Sequence, residues 1–240
     1  MIYLDNGATS FHKPPAVYRA VQTAMQSCAN PGRGGYGAAR KAADVIFRCR
    51  EEAGKLFDCL PEQVVLTNNC THGLNLAIHT LVKPGSTVVV SGFEHNAVTR
   101  PLHALGADIR IAGRKLFDWE DTLADFERQL DGADAAVFTH VSNVFGYILP
   151  VREMSQLCRN RGIPFVIDAA QSAGTLAVSL ESLARILLPC QAIRGCWVLR
   201  ERGFFCAGRE ENPCSMAERE AFPGNRQCHR TFLTGWRREL

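Results

Sequence analysis

Between residues 64 and 167 the chain alternates short apolar runs with longer stretches of helical spacing, and this alternation restricts the fold more than any other feature. Val64-Val65-Leu66-Thr67, residues 86–90, 107–111, 135–139 and 164–167 have strand length and are bounded by turn chemistry. Helical patterns separate them, at residues 71–82, 98–105, 119–130 and 151–161. Strand, helix and strand in steady order assemble into a mostly parallel sheet with helices on both faces. The expectation is an α/β fold of three layers, α/β/α. Upstream, Pro14 and Pro15 open a helix carrying Val17, Tyr18, Val21 and Met25, and a glycine-rich loop at 30–36 leads into a long helix through Phe57.

In open α/β sheets, ligands gather at the carboxyl ends of the strands. The last run of the series, Pro164-Phe165-Val166-Ile167-Asp168, places a carboxylate there, followed by Ala169-Ala170-Gln171-Ser172-Ala173-Gly174. Asp168 either binds a ligand or caps the element that follows. Other strand ends carry polar residues too. Asn68-Asn69-Cys70-Thr71-His72-Gly73 enters a helix, where Thr71 is a phosphate ligand or a plain N-cap. Glu94-His95-Asn96 offers an imidazole that could stack on a flat ring or move protons. In His140-Val141-Ser142-Asn143-Val144-Phe145-Gly146, Asn143 either bonds a ligand oxygen or holds a turn.

Composition narrows the function classes. A net charge of +3 with no basic stripe among aromatics argues against nucleic acid as a partner. No apolar run reaches membrane-spanning length, and Met1-Ile2-Tyr3-Leu4-Asp5 lacks the layout of a signal peptide, so no membrane and a cytoplasmic location are expected. Ten cysteines without a Cys-x-x-Cys pair support neither a disulfide framework nor a metal site.

The strand-end residues resemble, in order and spacing, the large domain of fold-type I pyridoxal phosphate enzymes. The likeness is to the class V aminotransferases, and within them to cysteine desulfurases and selenocysteine lyases. Tyr3-Leu4-Asp5-Asn6 with Ala8-Thr9, Asn30-Pro31-Gly32-Arg33-Gly34-Gly35, Glu94-His95-Asn96 and the stretch from Val166 to Gly174 carry it. It runs over residues 2–183 and implies an incomplete large domain at 1–183.

The resemblance implies pyridoxal 5'-phosphate as cofactor, with Asp168 on the pyridinium nitrogen, Gln171 and Asn143 on the phenolic oxygen, and Thr71 on the phosphate. His95 would stack on the ring and take part catalytically. L-cysteine or selenocysteine as substrate, a sulfur acceptor protein and a homodimer are implied for intact relatives. Another class V reaction and a noncatalytic scaffold stay open. The family pattern Ser-Gly-Ala-Thr-Glu is replaced by Asn68-Asn69-Cys70-Thr71-His72, which sets Cys70 where alanine is usual, and Asn-Asn-Glu is replaced by Ser142-Asn143-Val144.

A pyridoxal enzyme holds its cofactor on a lysine as a Schiff base. This chain has no lysine after Lys115. Residues 184–240 contain ten arginines and six glutamates but no lysine, aspartate or tyrosine, a usage unlike an ordinary domain. If each codon is rebuilt from the third base of one residue and the first two of the next, residues 185–196 permit Asp-Phe-Ile-Ala-Met-Pro-Gly-His-Lys-Gly-Leu. The lysine codon then straddles Ile193 and Arg194. Two further places in the same register, at 196–203 and 216–220, also permit family-like glycine-rich segments. Residues 184–240 are therefore expected to be an out-of-frame tail with no domain of their own, either poorly ordered or packed without a family-like pattern, and the chain as written is expected to be inactive.

Overall fold

The computed structural model describes residues 2–180, 186–191 and 203–207. Six α-helices are present among them: α1 (Pro15–Ser27), α2 (Gly37–Phe57), α3 (Cys70–Leu81), α4 (Asn96–Ala104), α5 (Trp119–Gln129) and α6 (Val151–Arg161). The strands are β1 (Val64–Thr67), β2 (Thr87–Ser91), β3 (Asp108–Ala112), β4 (Ala135–Thr139), β5 (Phe165–Asp168), β6 (Ile186–Gln191) and β7 (Gly203–Ala207). They form one sheet in the order β1-β7-β6-β5-β4-β2-β3. The pairs β3·β2, β2·β4, β4·β5 and β5·β6 are parallel, and β7 runs antiparallel to both its neighbours, β6 and β1. The expected mostly parallel α/β architecture is what the chain adopts.

Alternation along the central strands splits the core in two. Val89, Ala136, Phe138, Phe165 and Ile167 point to one face and pack with Phe126 of α5 and Met154 of α6. Val88, Val90, Val137 and Val166 point to the other and pack with Leu74 and Ile78 of α3 and Val98 and Leu102 of α4. Both faces of these strands are dry, as parallel sheets require. The three-layer expectation follows from this period of two.

Two stretches of the expected tail, β6 and β7, join the sheet. The run Ile186-Leu187-Leu188 pairs in parallel with β5, Leu188 is fully buried, and β7 bridges β6 to β1. Sheet pairing uses the backbone and asks of the side chains mainly that they be apolar, which this run satisfies. The rest of the expected tail lies outside the described residues.

Candidate functional site

Strand parity places the carboxylate. Asp168 continues the alternation of Val166, so it leaves the end of β5 on the face covered by α3 and α4. It is 4% exposed. Its Oδ1 accepts hydrogen bonds from the backbone N–H of Ala170 at 2.9 Å and from the Cys70 thiol at 3.6 Å. A carboxylate removed from water is tolerable only with donors of this kind.

α3 opens toward the same place. Asn69 is its N-cap and accepts from the His72 N–H at 2.8 Å, so the capping role open to Thr71 belongs to Asn69. Thr71 sits exposed in the first turn, beside backbone N–H groups at the positive end of the helix dipole. α4 begins in a comparable way. His95 is its N-cap, and its Nδ1 accepts from the Ala97 N–H at 3.1 Å. That bond directs the proton of the neutral imidazole to Nε2.

Asn143 stands exposed in the turn after β4, closed by the Gly146 N–H on the Ser142 carbonyl at 2.9 Å. Gln171 is half-buried directly after β5. The structure brings all five expected residues together: Thr71, His95, Asn143, Asp168 and Gln171 line one cleft of about 220 Å³, joined by Asn69, Cys70, Thr139 and Ala170.

Two further residues shape the site. Glu94 accepts from the Thr139 N–H at 2.8 Å and from the Ser91 hydroxyl, and its Oε2 is buried without a hydrogen-bond partner. Burial, with a smaller contribution from the Asp168 charge, pushes its carboxyl up to about 8, against the pull of the Ser91 and Thr139 bonds. His140 is buried directly after Thr139, the last residue of β4, and burial pushes its imidazole down to about 4, which leaves it neutral. Sequence alone assigns Glu94 no role and marks Cys70 only as a departure from the family pattern. Their roles arise from contacts 45 and 98 residues apart in the chain.

The donor set suits pyridoxal phosphate. A buried carboxylate can face a protonated ring nitrogen, a helix N-terminus can seat a phosphate, and an imidazole lines the same cleft. Among the described residues no cluster of three or more His, Cys, Asp or Glu is placed to hold a metal, and no helix is long and apolar enough to cross a membrane.

This sheet is that of the fold-type I class of pyridoxal phosphate proteins. The chain belongs to the class-V aminotransferase family, whose model matches residues 2–185, and members of that family are pyridoxal phosphate enzymes. It is 28% identical over 204 residues to a probable cysteine desulfurase of Pyrococcus abyssi, covering 81% of this chain and 50% of that protein. It is 30% identical over 201 residues to the cysteine desulfurase IscS of Vibrio vulnificus, covering 80% and 50%. The solved apo structure of a cysteine desulfurase from Thermococcus onnurineus NA1 superposes with a TM-score of 0.79 at 28% identity, covering 87% of this chain and 54% of that one. The chain thus spans about half the length of the relatives it matches.

Proposed function

We propose that this chain is the cofactor-binding part of a cysteine desulfurase-like protein, which converts L-cysteine to L-alanine and passes the sulfur to an enzyme cysteine, and that the chain as written does not turn over. The observation that carries the reading is the convergence of Thr71, His95, Asn143, Asp168 and Gln171 on one cleft. Bound there, the cofactor would supply an electron sink for carbanion chemistry. Asp168 would accept from the ring N–H, Gln171 and Asn143 would bond the phenolic oxygen, and His95 would cover the ring face with its Nε2–H toward the cleft. Thr71 and the first turn of α3 would hold the phosphate.

What the cleft lacks is a lysine. Lys13, Lys41, Lys55, Lys83 and Lys115 are the only lysines of the chain, and none lines the cleft. Arg194 is no substitute, because a guanidinium stays protonated and is not an amine nucleophile.

The proposal that residues 184–240 are out of frame gains support from Pro189. β6 is hydrogen-bonded on both sides, and a proline within such a strand has no N–H to give the ladder. The alternative register puts Ile, Ala and Met along this stretch and delays its own proline to the strand's end.

L-cysteine or selenocysteine as substrate, a sulfur acceptor protein, a homodimer and a cytoplasmic location complete the proposal. The homodimer is supported by exposed apolar side chains at the amino end: Ile2, Leu4 and Met25 are more than four-fifths exposed, and Tyr18 and Tyr36 are about half exposed. A noncatalytic protein that keeps the cleft is the second reading, favoured by the absent lysine.

The test is to assay the purified 240-residue chain with pyridoxal phosphate and L-cysteine, beside a version restored to the alternative register after Leu183. The given chain should release no sulfide, and the restored one should gain a yellow band that borohydride abolishes. Sulfide release by the given chain at the rate of an intact relative contradicts the proposal. Selenocysteine and other amino acids offered to the restored chain separate the lyase and aminotransferase alternatives.

A further inference from the structure

The floor of the cleft and the helix that would seat the phosphate meet at one side chain. Cys70 is the first residue of α3, is 5% exposed, and takes part in no disulfide. Its Sγ approaches Asp168 Oδ1 at 3.6 Å, a distance that suits a thiol donor, and the Ala170 N–H reaches the same oxygen at 2.9 Å. One donor comes from the residue pair just after β5. The other comes from a separate element, 98 residues earlier in the chain. Alanine, the usual residue at this place in the family pattern, would pack without donating anything.

Resting on the pyridoxal phosphate reading above, we infer that Cys70 is a positioning residue: its thiol fixes the rotation of the Asp168 carboxylate relative to the start of α3, and so couples the ring seat to the phosphate seat. The Ala170 bond references the carboxylate to its own loop. With Cys70 added, the two groups that would grip opposite ends of the cofactor are held in one frame. Preorganisation of this kind strengthens binding by reducing what it costs to order the site around the ligand.

The test uses the full chain and measures pyridoxal phosphate binding by equilibrium dialysis, together with the visible circular dichroism of the bound cofactor, which reports a fixed ring orientation. Cys70→Ala is expected to weaken binding roughly threefold to tenfold, the worth of one modest hydrogen bond, and to lower the dichroic signal. Cys70→Ser keeps a donor and should restore both, whereas Cys70→Val fills the space without a donor and should behave like alanine. Thermal unfolding of each variant confirms that the fold is intact. Cys70→Ala with wild-type affinity and dichroism overturns the inference and leaves the pyridoxal phosphate reading standing. So does a serine variant as impaired as alanine. A wild-type chain that binds no cofactor overturns the reading itself, and the inference with it.

Discussion

The Thr139 N–H donates to the Glu94 carboxylate at 2.8 Å, which ties the loop carrying His95 to the end of β4, the strand beside the one that presents Asp168. Ser91 donates to the same oxygen from the end of β2. One side chain therefore gathers three segments at the rim of the cleft.

This brace should be pH-dependent. Burial holds the Glu94 carboxyl at about 8 in the folded chain, above the usual carboxylate range. The folded state therefore keeps a proton that the unfolded state has released, and the stability Glu94 contributes falls as pH rises from about 4.5 and is lost through about 8. Glu94→Gln mimics the neutral form. Melting temperatures between pH 5.5 and 8.5 should fall less in the glutamine variant than in the wild type; parallel profiles contradict the assignment.

His95 has two separable duties. As N-cap of α4 its Nδ1 accepts from the Ala97 N–H, and the residue also lines the cleft. Asparagine is as good a cap but has no ring, so His95→Asn should keep stability within about 1 kcal/mol of wild type and still weaken cofactor binding. His95→Ala should lose the cap as well, roughly 1 kcal/mol in urea unfolding.

Thr71 should act on the phosphate alone, since Asn69 already caps the helix. Thr71→Ala is expected to weaken pyridoxal phosphate binding roughly tenfold and leave pyridoxal binding unchanged, as paired dialysis measurements would show. Equal loss for both ligands would place the hydroxyl elsewhere.

Phe138 anchors the core on the face opposite the cleft. Its ring lies 4.8 Å from that of Phe126 and 6.1 Å from that of Phe165, and it is fully buried. Phe138→Ala should cost about 3–5 kcal/mol, seen as a large drop in the urea midpoint or loss of soluble chain.

The legible parts of this molecule were those written in local pattern. The spacing in Val151–Arg161 gave α6 its observed limits, and an aspartate ending a four-residue apolar strand pointed to the cleft before any contact was known. β7 was hidden, because Gly203–Ala207 is a short run in a stretch of atypical composition, and its antiparallel pairing with β1 is a tertiary choice with no local signal. Asn69 rather than Thr71 as the cap turns on where α3 begins, and boundaries of one residue are weakly encoded. Cys70 and Glu94 became functional candidates only through partners distant in sequence.

The measurement that bears most directly on the account is cofactor binding by the full chain, read by dialysis and by visible absorbance before and after borohydride. Wild type is expected to bind pyridoxal phosphate that exhaustive dialysis removes and that borohydride does not fix to the protein, and Asp168→Asn is expected to bind markedly less. Equal binding by the wild type and the asparagine variant, or none by either, contradicts the proposal.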